Sequence, residues 1–274
     1  MAVRTLEEMI RNTTGRYHDK IKKACQPLFT HFGIVSFSYA KLTHTGYHSV
    51  LSSNPKWLEY YYAEKLYLLQ PHFRHPSNFQ SGISLAKNIE NSEYQSISTI
   101  ASEKFNEHFS VGILDRVADG LEIIGLNVNT PSKMHDLLLL NELGSIRKFL
   151  AKFARENRDI FRTLEDNQVD LAMLMGSKFQ KADIPVIAHL SQRKLFLKEI
   201  GIDIPHITVR ENEVLTLLLN GNSANQIALC LNLSCRTVEH YVEKLKNKLG
   251  CFSRSELIGK TRELEQLGYL VHAG

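Results

Sequence analysis

The chain predicts two folded parts of different class, an α+β part at the N-terminus and an all-α, four-helix helix-turn-helix part at the C-terminus. Three observations carry this. Gly33 to Ala40 alternates, with Val35, Phe37 and Tyr39 on one face and Ser36 and Ser38 on the other, which is the signature of a half-buried strand. The apolar runs Val111–Val117 and Leu121–Val128 are joined through Asp119-Gly120, a strong hairpin signal because a type I′ turn needs positive φ at both positions. After Pro205, four short helices follow one another with explicit start and stop residues.

Around the strands, helical patterns cover Arg16–His31, Pro55–Lys65 and Tyr94–His108. Thr130-Pro131 opens a long helix, with Pro at its first position. Leu139, Leu143, Ile146, Leu150 and Phe153 form its apolar stripe, expected to pack on the domain's own sheet rather than on a second subunit. Residues 158–205 read as a helical connector between a 1–157 domain and a 206–274 domain. Phe161, Leu164, Leu171, Leu174 and Met175 recur at near-helical spacing, Pro185 breaks the pattern, and Ile187–Ile200 resumes it.

In the last part, Thr208/Glu211, Ser223/Gln226 and Ser253/Glu256 each match the capping box, and Ser234 is a fourth N-cap. Gly221, Gly250 and Gly268 stand where helix ends need a left-handed residue. On the third helix, Val238, Tyr241, Val242, Leu245 and Leu249 gather on one side, the buried one. Arg236, His240, Glu243 and Asn247 fall opposite, flanked by Glu239 and Lys244, while Lys246 and Lys248 lie at the core edges with stems long enough to reach phosphates. Arg donates to guanine, Asn pairs with adenine and Glu accepts from cytosine in a major groove. From Ser234 to Arg254 there are five Lys and Arg against two Glu, although residues 206–274 are near balance with eight against seven and the whole chain is only +4. Charge placement, not charge total, points to DNA.

Other classes are disfavoured. No P-loop, G-x-G-x-x-G, G-x-S-x-G or H-E-x-x-H occurs, so no enzyme and no cofactor are expected. His44-x3-His48 and His72-x2-His75 lack neighbouring Cys or carboxylate at ligand spacing and are read as ordinary histidines rather than metal ligands. Cys25, Cys230, Cys235 and Cys251 are too few and too scattered for a disulfide scaffold; the last three are expected to be small buried thiols. The longest aliphatic run, Leu137–Leu140, cannot span a bilayer, and MAVRTLEEMIRN carries early acids instead of an apolar leader, so a cytoplasmic location is expected.

The C-terminal string Ile207, Thr208, Arg210, Glu211, Glu213, Val214, Leu215, Gly221, Asn222, Ser223, Asn225, Ile227, Ala228, Leu231, Ser234, Thr237, Val238, Lys248, Leu249 and Arg254 resembles the LuxR-type helix-turn-helix family over about 60 residues. That family commonly has Lys directly after Thr-Val and His two places on; here Glu239 and Tyr241 stand there. The resemblance implies a transcription regulator whose DNA contacts come from Ser234, Arg236, Thr237, Glu239, His240, Glu243, Lys244, Lys246, Asn247, Lys248 and Arg254. It also implies a homodimer on double-stranded DNA, with RNA polymerase as a further partner. The last helix, with Leu257, Thr261 and Leu264 on one face, is a candidate contact between DNA-binding units. The helix from Pro131 and the connector are candidates for the larger interface.

Residues 16–157 resemble, more weakly, the family's autoinducer-binding domain, an α-β-α sandwich of an antiparallel sheet with helices on both faces. Trp57-x3-Tyr61 followed by Gln70-Pro71 carries this resemblance. Receptors for acyl-homoserine lactones have Asp-Pro there, the Asp accepting the ligand's amide N–H, and a second Trp that donates to the lactone. This chain has Gln70 and a single Trp, with Leu85 near the place of the second. The ligand residues implied are Trp57, Tyr61, Gln70, Tyr39 and Leu85, and the ligand expected is a small molecule other than an acyl-homoserine lactone. The alternative is a sandwich that holds no ligand and serves dimerisation or docking of a partner protein. A receiver switched by phosphorylation needs clustered acids after the first strand, where this chain has Lys41-Leu-Thr-His.

Overall fold

The structure is a computed structural model and describes residues 5–181, 196–201, 204–267 and 269–270. It contains two compact units, one built mainly on residues 5–181 and the other on residues from 196 onward.

In the first unit, α1 (Leu6–Ile10) runs through a π-helical turn into α2 (Arg16–Phe32). Then come β1 (Ile34–Thr43), β2 (Tyr47–Ser52), α3 (Pro55–Ala63), β3 (Gly82–Leu85), α4 (Ser92–Phe105), β4 (His108–Val117) and β5 (Gly120–Val128). The unit closes with α5 (Lys133–Asn141), α6 (Leu143–Glu156), α7 (Arg158–Asp166), β6 (Val169–Asp170) and α8 (Leu171–Met175). The sheet order is β3-β4-β5-β1-β2-β6, with β1 antiparallel to both β2 and β5. Side chains alternate across it. Phe37, Tyr39, Leu51 and Leu126 meet α2, α6 and α7 on one face, whereas Ala40, Leu42 and Val50 meet α1, α3, α4 and α8 on the other. This is an α-β-α sandwich.

The predicted strand and hairpin form, with two differences. Val35 lies at a register shift in β1, where Ile34 and Ser36 oppose the adjacent residues Val128 and Asn127 of β5, and it is exposed instead of buried with Phe37. The β4–β5 turn is Ala118-Asp119, and neither Asp119 nor Gly120 has positive φ. Gly120 is required for a different reason: a Cβ there would stand 2.0 Å from the Leu42 carbonyl oxygen of β1.

The long helix after Thr130-Pro131 is two helices. Ser132, not Thr130, caps α5 by accepting the His135 N–H, and the path breaks at Glu142 before α6. The expected stripe does pack on the unit's own core, with Leu139 and Ile146 fully buried and Phe153 against Phe37. Each such side chain contributes about 1.5–3 kcal/mol of burial. The helix of Tyr94–His108 ends at Phe105, where Asn106 turns left-handed.

The first half of the supposed connector belongs to this sandwich. Ile160 and Leu164 of α7 are buried in the core, β6 pairs with β2, and Phe179 is buried. Apolar spacing marked helices here correctly but could not show that their partner was the sheet. Most of Ile187–Ile200 lies outside the described residues, as does Gly268.

The second unit has α9 (Val209–Leu219), α10 (Ala224–Leu231), α11 (Cys235–Leu249) and α12 (Arg254–Gln266) around Val214, Leu215, Ile227, Val238, Leu245, Leu257 and Leu264. Capping boxes form at Thr208/Glu211 and Ser223/Gln226. Ser253 caps α12, but Glu256 accepts from the Phe252 N–H instead of completing the box. Asn232 and Gly250 are left-handed at the ends of α10 and α11, and Gly221 has positive φ just past α9. Leu257, Thr261 and Leu264 are buried in this unit's own core and are not a surface for a second copy. Of the thiols here, Cys251 is buried but Cys230 is exposed and Cys235 half-buried, contrary to expectation. No helix among the described residues is long and apolar enough to cross a membrane.

Candidate functional site

The sandwich holds a partly open cavity of about 130 Å³ between the sheet and α3. Its floor is made of small residues that share one sheet face by alternation: Ser38 and Ala40 of β1, Ser84 of β3, Ser110 and Gly112 of β4, and Gly125 of β5. At Gly125 a Cβ would come within 2.5 Å of the Ser38 hydroxyl, so the strands here have no room to spare and the space lies above them. The roof comes from α3, started by Asn54, which accepts the Trp57 N–H, and by Pro55. One turn apart, Trp57 and Tyr61 both face the cavity, their rings 5.5 Å between centroids. Gln70, His72, Phe73 and Tyr94 close it.

The polar groups on this wall are neutral and incompletely matched. His72 Nδ1 lies 3.1 Å from Gln70 Oε1. With that oxygen accepting, Nδ1 carries the ring proton. Burial lowers the His72 pKa to about 4, so the ring is uncharged near neutrality. Burial above all, with Tyr62 nearby, drives the Tyr61 phenol well above its usual range. His72 Nε2 and the Ser84 hydroxyl are buried without a hydrogen-bond partner, and the Tyr61 hydroxyl is buried beside Gln70. His48, also held near pKa 4 by burial, differs: its Nδ1 meets the Lys41 carbonyl and its Nε2 the Tyr62 hydroxyl at 2.5 Å.

Trp57, Tyr61 and Gln70 thus come together as predicted, whereas Tyr39 and Leu85 do not line the cavity. Tyr39 sits between Ser38 and Ala40 and points to the opposite face, where its ring packs on Phe161 and its hydroxyl donates to Glu122. Leu85 likewise turns away from the face of Ser84 and joins the other core. His72 and Ser84 were missed as cavity residues. The signal was present in both: His72 is two residues after Gln70, and Ser84 alternates with Leu85.

On α11, Arg236, Glu239, His240, Glu243, Lys244 and Asn247 are all exposed, as predicted for the outer face, and Val238 and Leu245 are fully buried. Ser234 accepts the Thr237 N–H at the helix start. Four cations of the expected set are engaged within the unit. Lys248 donates to the buried Glu211 at 2.6 Å, Lys244 lies 3.3 Å from the same carboxylate, and Lys246 pairs with Glu243 at 2.8 Å. Arg254 donates to the Asn222 carbonyl oxygen. Burial raises the Glu211 pKa, but Lys248, the Thr208 N–H and Lys244 outweigh this and lower it from 4.5 to about 2. Arg210 pairs with Glu213 and donates to the Leu231 carbonyl, tying α9 to the end of α10.

Residues 205–260 match the family described as bacterial regulatory proteins, luxR family, so this segment is a helix-turn-helix domain of that family. A search of the curated proteins gives no match. Among solved structures, the chain is similar to Escherichia coli SdiA at 15% identity, covering 99% of this chain and 94% of that one, with a TM-score of 0.34. It is similar to SdiA in complex with octanoyl-rac-glycerol at 14% identity, with 100% and 93% covered and a TM-score of 0.33. The Vibrio cholera VqmA-ligand-DNA complex is similar at 13% identity, with 90% and 88% covered and a TM-score of 0.25.

Proposed function

We propose that the protein is a sequence-specific DNA-binding transcription regulator, acting as a dimer and controlled by a small molecule held in the sandwich. The observation that carries the DNA-binding reading is the outer face of α11 within a luxR-family domain. It presents one Arg, one His, one Asn and two Glu to solvent on a helix whose other side is locked in the core, the arrangement that reads base edges in a major groove. The ligand is not an acyl-homoserine lactone. Gln70 supplies a neutral acceptor in place of a carboxylate, already turned to His72.

Selection of bound fragments from random duplexes, followed by anisotropy titration, tests the DNA reading. Arg236→Ala and His240→Ala should change the selected sequence, while both variants keep the wild-type fold. Recovery of the same sequence by both would refute α11 as the reading helix.

A further inference from the structure

Buried polar atoms in folded proteins nearly always have partners. Here two that do not, His72 Nε2 and the Ser84 hydroxyl, belong to side chains that line one cavity, at 6% and 3% exposure, and the Tyr61 hydroxyl, beside Gln70, lines it with them. They come from three separate parts of the chain: α3, the loop after it, and β3. With Nδ1 committed to Gln70, His72 Nε2 offers a lone pair and needs a donor. The two hydroxyls each donate or accept. Among the described residues no Asp, Glu, Lys or Arg lines the cavity, so an ionised guest would be desolvated without a counter-charge. A closed protein cavity of about 150 Å³ takes benzene, so the roughly 130 Å³ of this partly open pocket accommodates one ring.

We propose that the cavity recognises an uncharged, single-ring molecule carrying at least one hydrogen-bond donor, directed to His72 Nε2, and one acceptor, directed to the hydroxyls of Tyr61 and Ser84; a cyclic amide is the simplest member of this class. This rests on the reading of the cavity as the ligand site. The flat walls of Trp57 and Tyr61 hold the ring, and the polar atoms fix its orientation. His72 is a specificity residue, held in its tautomer by Gln70.

The test uses the full chain and three probes: 2-pyridone, which has both groups; toluene, which has neither; and benzoate, which is charged. Calorimetry measures affinity. The indole N–H resonance of Trp57, the sole Trp of the chain, reports whether a probe occupies the cavity. The expected result is 2-pyridone bound at least about ten-fold more tightly than toluene, the worth of a matched donor and acceptor, with benzoate not bound. His72→Phe keeps a ring and removes the acceptor, so it should bring 2-pyridone down to the affinity of toluene, whose unchanged binding shows that the cavity is intact. Equal affinity for 2-pyridone and toluene in the wild type, or a preference that survives His72→Phe, would overturn the assignment while leaving the cavity a ligand site. If neither probe moves the Trp57 resonance, the ligand-site reading fails and the assignment with it.

Discussion

The Glu211 carboxylate accepts the Thr208 N–H at the start of α9 and pairs with Lys244 and Lys248 of α11, so the cap of one helix is also the tether of another. Its pKa is depressed on folding, from 4.5 to about 2. The stability it contributes is therefore complete above pH 4.5 and lost as pH falls through the interval down to about 2. The contribution is on the order of 3 kcal/mol. Glu211→Gln should lower the stability of the second unit by about 2–3 kcal/mol near neutral pH, since two lysines lose their buried partner. It should also flatten the acid limb of the stability profile. Urea unfolding from pH 7 to pH 3 measures both, and a variant with the wild-type acid limb would refute this role. The same pairing changes the reading of charge in this domain: two of the lysines counted as DNA contacts share one buried carboxylate, which a charge count along α11 could not reveal because Glu211 is two helices earlier.

At the scale of elements, β1 and β5 approach so closely at Gly120 that no side chain fits. Gly120→Ala should cost about 2–4 kcal/mol through a forced backbone shift, and thermal unfolding by circular dichroism checks it; a loss under about 1 kcal/mol would contradict the packing argument. The residue was legible in the sequence as a turn glycine, but its reason was not, because the constraint comes from Leu42 on a strand far away in the chain. This division holds across the molecule. The four C-terminal helices could be placed from their caps, since Thr208, Ser223, Ser234 and Ser253 act on their own backbones a few residues away. The cavity was half legible: the family resemblance pointed to Trp57, Tyr61 and Gln70, and the four-residue spacing puts the first two on one helix face, whereas Tyr39 and Leu85 required knowing which sheet face looks toward α3. A one-residue error in that phase moves a side chain to the other layer. On α11, Lys246→Ala should weaken binding to every duplex and reduce the slope of log affinity against log salt by about one. Its removal also frees Glu243 on the reading face. Anisotropy titrations at several salt concentrations check this, and an unchanged slope would remove Lys246 from the phosphate contacts.

For the molecule as a whole, the proposed dimer needs a surface, and the structure narrows the choice. Leu257, Thr261 and Leu264 are spent on the core of their own unit. By contrast, Met134, Leu137 and Leu138 of α5 are 76%, 52% and 42% exposed. These positions, three and four apart, form one apolar stripe on a helix whose opposite side buries Leu139. A stripe of this kind lies in a homologous position on each copy, so a two-fold axis beside α5 would bring it against itself, as an isologous interface requires. Such a dimer would present two copies of α11 to paired half-sites. Leu137→Lys with Leu138→Glu removes the apolar match without touching the core, and it should raise the dimer dissociation constant at least about ten-fold, equivalent to about 1.4 kcal/mol. Affinity for a duplex with two half-sites should fall with it, while affinity for a single half-site stays near wild type, because each second unit is intact and only the linkage between them is lost. Analytical ultracentrifugation and paired titrations on one-site and two-site duplexes measure the two effects. A double variant that sediments as the wild-type dimer would show that α5 is not the interface, and a wild-type protein that is monomeric both free and on two-site DNA would refute the dimer itself.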